Sequence, residues 1–411
     1  MSKPAWKPEG ASRRDGIEGS APAVRALDAL LAAAVEADAS DVHFEPDRQG
    51  LRVRMRVDGQ LADLEPPPSS LAPALLTRVR LLARVDLAER RLPQDGRFTF
   101  TAPGSERVDV RAAFLPVARG EKITLRLLRQ GGGTRGLDEL GIPDRDRERL
   151  CRVLAKPNGL VLVVGPTGSG KSTTLYASLG HLRRATRAIA SVEDPVEFDI
   201  EGVSQVPVDE DVGRSFAVVL RALLRQDPDV LMVGEIRDGD SARIACRAAL
   251  TGHLVLSSLH AAHAREALLR LPEIGVADYL VRATVSLVVA QRLVRRVCAS
   301  CVEHREPDAE ELVLFARAGV PVAATLPRSS GCAKCSGRGY RGRLAVFETA
   351  TSAEDAPRPF GPGSLGANGL ARAAEGITTV EEVLTHCPQP GEEGESRSPA
   401  SRARVDEEEG R

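Results

Sequence analysis

The sequence has few aromatic residues and almost no net charge. Aromatic residues make up 3% of the 411 residues, with a single tryptophan, so stacking platforms for single-stranded nucleic acid are scarce. The formal net charge is −1, which gives no sign of the positive excess typical of nucleic-acid-binding chains. Both shortages argue against nucleic acid as the main partner.

Long apolar runs are also missing. No stretch reaches the roughly 18–20 apolar residues of a membrane-spanning helix, and the N-terminal MSKPAWKPEGASRRDG lacks the apolar segment of a signal peptide. The run LVLVV at 160–164 has the length of a buried strand. With 42% apolar and 27% charged residues, the composition is that of a soluble protein of two or three domains, and we expect a cytoplasmic location.

The first third of the chain predicts a small α+β domain. Residues 1–20 are polar and are expected to be disordered. Residues 21–130 combine helical patterns at 24–39 and 71–86 with short runs that alternate apolar residues and arginine, as half-buried strands do. The glycines of 131–136 indicate a linker.

The remainder predicts a second domain, a cysteine-containing region and a tail. Over 137–290, strands alternate with helices, which predicts an α/β domain with a parallel sheet covered on both faces. Residues 291–349 hold two cysteine pairs. Residues 350–411 are rich in Pro, Gly, Ser and Glu and are expected to be disordered.

The segment GPTGSGKS at 165–172 predicts a phosphate-binding loop, because a strand precedes it and a helix follows. Its glycines let backbone N–H groups turn towards phosphate oxygens, and the helix start adds its dipole. Lys171 is predicted to bridge the β- and γ-phosphates, and Ser172 to bind Mg²⁺. The predicted nucleotide-binding residues of the loop are Gly165, Pro166, Thr167, Gly168, Ser169, Gly170, Lys171, Ser172 and Thr173.

Acidic residues and a histidine follow the next strands of this domain. The segment SVEDPVEF at 191–198 contains Glu193, which either reaches the phosphate side of the sheet or belongs to a solvated turn. The strand VLMV at 230–233 leads to Glu235, where a carboxylate can hold Mg²⁺ through water or orient the attacking water. His260 comes just past the following strand, near the expected γ-phosphate.

Four of the seven cysteines form two C-x₂-C pairs separated by the 30 residues 302–331. This pattern predicts a structural zinc site, because four thiolates complete a tetrahedron and leave no open position. The predicted zinc ligands are Cys298, Cys301, Cys332 and Cys335.

Ordered motifs over residues 24–348 resemble those of the secretion ATPases, the motors of type II secretion and type IV pilus assembly. Four signature blocks are GPTGSGKSTTLY, EDPVE, LRQDPDVLMVGEIRD and ALTGHLVLSSLH. The resemblance continues upstream through SDVHFEP, RVRMRVDG and RLPQDGRF, and downstream through AQRLVRRVCASC and GCAKCSGRGYRGR. It implies a RecA-like P-loop motor domain that uses ATP and Mg²⁺. It also implies a cytoplasmic homo-hexamer, held peripherally at the inner membrane by a platform protein and driving pseudopilin or pilin extrusion.

The resemblance also implies residue roles. Glu193 becomes the general base, Glu235 the carboxylate that holds Mg²⁺ through water, and His260 a contact of the γ-phosphate, with Lys171 completing the catalytic set. His253 would order its motif. Arginines of the small domain reach nucleotide in this family, and Arg97 and Arg111 are the best candidates. A surface or packing role is the alternative for each, and Arg221, Arg225 and Arg237 could instead tie subunits together.

The sequence departs from the family at three places. Larger members carry a further N-terminal docking domain, and we expect this chain to lack it, since some 20 residues precede its first predicted helix. Ala261 and Ala262 replace the usual Thr-Asn after His260. The family's closing helical segment is not recognisable after residue 349. An ATP-binding scaffold with weak or no hydrolysis and a DNA translocase remain alternative functions, and the sequence does not separate type II secretion from pilus assembly.

Overall fold

The computed structural model describes four stretches of the chain, 22–102, 107–129, 135–183 and 186–388. The prediction of disorder for residues 1–20 lies outside them, as does most of the predicted linker at 131–136. The structure divides into two compact units. The first lies within Met1–Thr134 and Ser330–Gly342, and the second within Arg135–Ser329 and Arg343–Arg411.

The first unit contains a six-stranded antiparallel sheet in the order β3-β2-β1-β6-β5-β4. Helices α1 and α2 share one apolar core with this sheet. The α+β prediction for this part of the chain therefore agrees with the structure. Its elements are α1 (Pro22–Glu36), β1 (Ala39–Pro46), β2 (Leu51–Val57), β3 (Gln60–Leu64), α2 (Ala72–Ala83), β4 (Gln94–Thr101), β5 (Arg107–Val117) and β6 (Gly120–Arg129).

The alternation of β2, which reads LRVRMRV, separates the two faces of this sheet. Val53 and Met55 are buried in the core, together with Leu27 from α1 and Leu75 from α2. The arginines between the apolar residues of β2 lie on the opposite face, because successive side chains of a strand point to opposite sides. The sheet therefore has one apolar face and one charged face, on which Arg54 pairs with Glu45 and Arg126 with Asp41.

The second unit is built on a seven-stranded sheet in the order β15-β12-β7-β11-β10-β8-β9. Its elements are α3 (Asp144–Leu154), β7 (Gly159–Val164), α4 (Lys171–Leu182), β8 (Ile189–Glu193), β9 (Ser204–Pro207), α5 (Phe216–Leu223), β10 (Val230–Val233), α6 (Gly239–Leu250), β11 (Leu254–Leu259), α7 (Ala264–Glu273), α8 (Asp278–Thr284), β12 (Val285–Val297), β13 (Glu303–Arg305), α9 (Ala309–Ala318), β14 (Leu326–Arg328), β15 (Tyr340–Ala350), α10 (Leu365–Ala374) and α11 (Val380–His386).

The central strand β7 is buried along its whole length. Leu160 and Leu162 pack into one core, whereas Val161 and Val163 pack into another on the opposite face. β7 pairs in parallel with β11 and β12, and β8 and β10 continue the parallel arrangement. A strand covered on both faces must be apolar at every position, which is why its sequence does not alternate.

The structure differs from the predicted boundaries after residue 290. β12 crosses the expected limit at 290, and β12 and β15 are both strands of the large sheet, so the region 291–349 is not a separate unit. The part of the tail that is described also folds, because α10 and α11 bury Leu365, Leu370 and Val383. The prediction of disorder was wrong for residues 350–388, and the rest of the tail lies outside the described residues.

The glycines of this segment explain the error. A Cβ atom at Gly366 would lie 2.7 Å from the Phe360 ring, and one at Gly369 would lie 2.7 Å from Val383. Glycine at these two positions permits close packing of α10, although in the sequence a segment rich in glycine is typical of a disordered tail. In the part of the chain that the structure describes, no helix is long and apolar enough to span a membrane.

Candidate nucleotide-binding site and cysteine cluster

The loop between β7 and α4 has a backbone suited to binding phosphate. Gly165 and Gly170 have positive φ angles of 155° and 88°. A Cβ atom at Gly165 would lie 2.5 Å from the Gln291 carbonyl oxygen, and one at Gly170 would lie 2.7 Å from Gln291 Nε2. Only glycine fits both positions, and the loop ends at the N-terminus of α4, where the helix dipole favours an anion. Ser172 is exposed in the first turn of α4, as a predicted Mg²⁺ ligand must be.

Lys171 folds back onto this loop. Its Nζ donates to the carbonyl oxygens of Gly165, at 2.9 Å, and Pro166, at 3.0 Å. Burial lowers the pKa of Lys171, the charge of Glu235 opposes this shift, and Arg292 adds to it. A bound phosphate would compensate the desolvation that disfavours the charged amine.

Glu193 ends β8 and is buried, with 3% of its surface exposed. Its Oε2 accepts a hydrogen bond from the Tyr176 hydroxyl. Its Oε1 accepts from Ser191 Oγ at 2.5 Å and from Gln205 Nε2 at 2.9 Å. Donors from α4, β8 and β9 therefore fix the carboxylate, and the solvated-turn interpretation does not apply to Glu193.

Arg237 connects the carboxylates that follow β8 and β10. Its Nη1 donates to Asp194 Oδ2 at 2.9 Å, its Nε donates to Glu235, and its guanidinium lies 5.6 Å from the centroid of the Phe216 ring. His260 Nε2, after β11, lies 3.4 Å from the second carboxylate oxygen of Glu235. Because β8, β10 and β11 are parallel neighbours, their carboxyl ends bring these groups to one edge of the sheet.

Arg221 and Arg225 differ from Arg237 in their contacts. Arg221 is exposed on α5, and the Nη1 of the exposed Arg225 donates to the Arg221 carbonyl at 2.9 Å. Arg237 is engaged with carboxylates of its own chain at the candidate site. A role in joining subunits stays a prediction for Arg221, Arg225 and Arg237.

The segments before and after His260 are held by hydrogen bonds between side chains and backbone groups. His253 Nδ1 donates to the Ala248 carbonyl at 3.0 Å and closes the turn between α6 and β11. The Ala262 N–H donates to the Glu266 carboxylate, and Arg292 Nη2 donates to the Ala262 carbonyl at 2.7 Å. The turn after His260 thus keeps polar contacts although alanines replace the family's polar side chains.

Arg97 and Arg111 lie in the first unit, directly opposite each other on β4 and β5. Arg111 is in turn opposite Arg126 on β6, which is ion-paired with Asp41 at 3.1 Å. Three arginines therefore form a row across neighbouring strands, on the face opposite the apolar core. Sequence spacing alone did not reveal Arg126 as part of this row.

The four predicted zinc ligands come together. The sulfur atoms of Cys298, Cys301, Cys332 and Cys335 all lie within 4.8 Å of one another. Zinc–sulfur bonds of about 2.3 Å place tetrahedral ligands about 3.8 Å apart, and Cys332 Sγ and Cys335 Sγ are 3.8 Å apart. The backbone N–H groups of Cys332 and Gly339 point at Cys335 Sγ, at 3.1 and 3.2 Å, and stabilise a thiolate. The donor set fits a structural zinc ion.

Several residues of the nucleotide site were not predicted from the sequence, among them Tyr176 and Gln291. Tyr176, inside α4, bonds the Glu193 carboxylate, and Gln291, on β12, contacts the phosphate loop and accepts from Thr174 Oγ1 at 2.6 Å. Both lie within quoted motifs, GPTGSGKSTTLY and AQRLVRRVCASC. A polar residue among apolar ones was the only signal, and it does not identify the partner.

Comparison with known protein families shows to which family of ATPases this chain belongs. The model of the family described as type II/IV secretion system protein matches residues 17–384. The chain belongs to this family. The predicted family, the RecA-like α/β fold with its preceding α+β unit, and the assignment as an ATPase are thereby confirmed.

Individual relatives agree with the family match. The type II secretion system protein E of Pseudomonas aeruginosa is 45% identical over 385 residues, which cover 89% of this chain and 76% of the relative. The type IV pilus assembly ATPase PilB of Myxococcus xanthus is 40% identical over 385 residues, 89% of this chain and 68% of the relative. The X-ray structure of the ATPase DotB from Yersinia pseudotuberculosis has a TM-score of 0.66 at 18% identity, covering 94% of this chain and 98% of DotB, a likeness of fold.

Proposed function

We propose that this chain is the ATP-hydrolysing motor of a type II protein secretion machine or of a type IV pilus assembly machine. The observation that carries the proposal is the shared sheet edge at which the phosphate loop, Glu193, Glu235 and His260 meet, each following one of four neighbouring parallel strands. The two machines are inferred from the names of the relatives. The family resemblance further suggests a cytoplasmic homo-hexamer bound to an inner-membrane platform protein.

The hydrolysis step follows from the residue types. Lys171 and the loop N–H groups bind the phosphates, and Ser172 and Glu235 would hold Mg²⁺, directly and through water, so that the metal neutralises charge on the β- and γ-phosphates. Glu193 accepts a proton from the water that attacks the γ-phosphorus, and ADP leaves on the opposite side. His260 contacts the γ-phosphate and senses whether it is present.

The arginines of the first unit supply positive charge to the transition state within a ring. Arg97 and Arg111 are cross-strand neighbours on one face of their sheet, which supports a shared role for the two charges. The ADP state would release them, so that hydrolysis is coupled to movement of the first unit. That movement would drive extrusion of pseudopilins or pilins.

Steady-state ATP hydrolysis tests the proposal. We expect Glu193→Gln to lower kcat by about 10²-fold or more, the usual contribution of a general base, and Glu235→Gln to lower it as well. Glu201→Gln is the matched control, because the Glu201 side chain is 94% exposed. No turnover by an assembled wild-type ring would overturn the motor and favour an ATP-binding scaffold, whereas strong stimulation by duplex DNA would favour a translocase.

A further inference from the structure

Tyr176 connects the phosphate-binding helix to the proposed general base. It is 4% exposed on α4, and its hydroxyl donates to Glu193 Oε2. The same hydroxyl accepts from the Glu197 N–H at 3.1 Å. Its ring packs edge-on against Phe198, with centroids 6.0 Å apart. The hydroxyl thus touches the carboxylate and the loop that follows β8.

The hydrogen bonds of Glu193 indicate which oxygen can take a proton. An ionised carboxylate has about four acceptor positions, two on each oxygen. Ser191 and Gln205 both donate to Oε1, so they occupy both of its positions. Tyr176 occupies one position on Oε2. No other described residue donates a hydrogen bond to this oxygen, so its second position is the one left for a water molecule.

We propose that Tyr176 is a positioning residue for ATP hydrolysis, which orients Glu193 Oε2 towards the attacking water. This inference rests on the proposed role of Glu193 as general base. Because Tyr176 lies on α4, five residues after Lys171, it also links the position of the base to the helix that holds the phosphates. Nucleotide binding and base orientation are then mechanically connected.

The charges around Glu193 are compatible with this role. Burial raises the pKa of Tyr176, and its hydrogen bond to Glu193 adds to the rise, so the phenol keeps its proton as a donor. The other donors, Ser191 and Gln205, are neutral. Asp194 follows Glu193 but is paired with Arg237, which also binds Glu235. Among the described residues, Tyr176 is therefore the titratable group that is hydrogen-bonded to the carboxylate of Glu193.

The test compares kcat with the KM for ATP in the full chain, because a merely structural tyrosine would not lower kcat alone. Tyr176→Phe keeps the ring packed on Phe198 and removes the donor. We expect kcat to fall about tenfold with the KM for ATP changed less than about twofold, as for a residue that acts on the base and not on binding. Tyr279→Phe, at a tyrosine that is 73% exposed, is the matched control.

The outcomes separate this inference from the proposed function. If Glu193→Gln retains normal hydrolysis, Glu193 is not the base and both fail. If Glu193→Gln is inactive while Tyr176→Phe keeps the wild-type kcat, only the role of Tyr176 is overturned. Should Tyr176→Phe fail to fold, 3-fluorotyrosine incorporated at the three tyrosines keeps each ring and makes the hydroxyl a stronger donor. The stronger donor should change kcat while the KM for ATP stays within about twofold, and an unchanged kcat would overturn the inference.

Discussion

Arg237 and Asp194 lie 43 residues apart in the chain, and their side chains form a hydrogen-bonded ion pair of 2.9 Å. The same guanidinium donates to Glu235, so one cation bridges the acidic residues that follow β8 and β10. Both carboxylates belong to motifs expected to act on ATP. The bridge therefore fixes the separation of two strand ends on which the proposed chemistry depends.

Replacing Arg237 should affect turnover more than stability. Arg237 is 52% exposed and Asp194 38% exposed, so the pair adds little to the free energy of folding. We expect Arg237→Gln to lower kcat about tenfold, because small displacements of catalytic groups are costly, with an unchanged melting temperature. Arg243→Gln removes a comparable surface pair with Asp240 and should leave kcat unaltered. Equal turnover of the two variants would contradict the bridging role.

The paired arginines of the first unit predict a defect in catalysis rather than in nucleotide binding. Arg97→Ala and Arg111→Ala should each lower kcat at least about tenfold, as expected when positive charge is withdrawn from a phosphoryl-transfer transition state. Affinity for ADP, measured by fluorescence, should change less than about threefold, because ADP lacks the transferred phosphate. Arg107→Ala, at an exposed position of the same strand β5, is the control. Full activity of both variants would exclude a catalytic role for Arg97 and Arg111 and leave them a surface or packing role.

The cysteine cluster predicts about one zinc ion per chain, since four thiolates complete a single tetrahedral site. Elemental analysis of purified protein should find this content, and Cys332→Ser should reduce it together with the melting temperature. Cys151→Ser, a half-buried thiol on α3 outside the cluster, should leave the zinc content unchanged. Wild-type zinc content in Cys332→Ser would reject the site.

The environment of Glu382 on α11 predicts a loss of stability in acid. Burial would raise the pKa of Glu382, but hydrogen bonds from His386 and Arg295 outweigh it and lower that pKa to about 2, from an ordinary 4.5. The folded-state pKa is depressed, so the stabilisation is complete above pH 4.5 and is lost as the pH falls towards 2. A shift of this size corresponds to at most about 3 kcal/mol.

Urea unfolding of the full chain at several pH values tests this. Glu382→Gln should be less stable than wild type near neutral pH, and the difference should shrink as the pH falls below 4.5. Glu381→Gln, one residue earlier on α11 and exposed, is the matched control. A difference between wild type and Glu382→Gln that stays constant with pH would contradict the role of the Arg295 pair.

Much of the nucleotide site could be predicted because parallel strands of an α/β sheet deliver their carboxyl ends to one edge. Glu193, Glu235 and His260 each follow an apolar strand, and that rule placed them near the phosphate loop. Their hydrogen-bond partners could not be predicted in the same way. Tyr176 precedes Glu193 by 17 residues and Gln205 follows it by 12, and no periodicity relates them.

The sequence by itself determined the phosphate loop, the alternation of strands and helices from β7 to α7 apart from β9, and the cysteine pairs, because local spacing encodes these features. Only the tertiary structure decided that β12 and β15 join the large sheet, that residues 350–388 fold, and that Tyr176 holds Glu193. The physical reason is that these outcomes depend on contacts between distant segments. In the sequence, Gly366 and Gly369 are typical of a loop. Only the tertiary structure shows that the ring of Phe360 packs against Gly366 and the side chain of Val383 against Gly369.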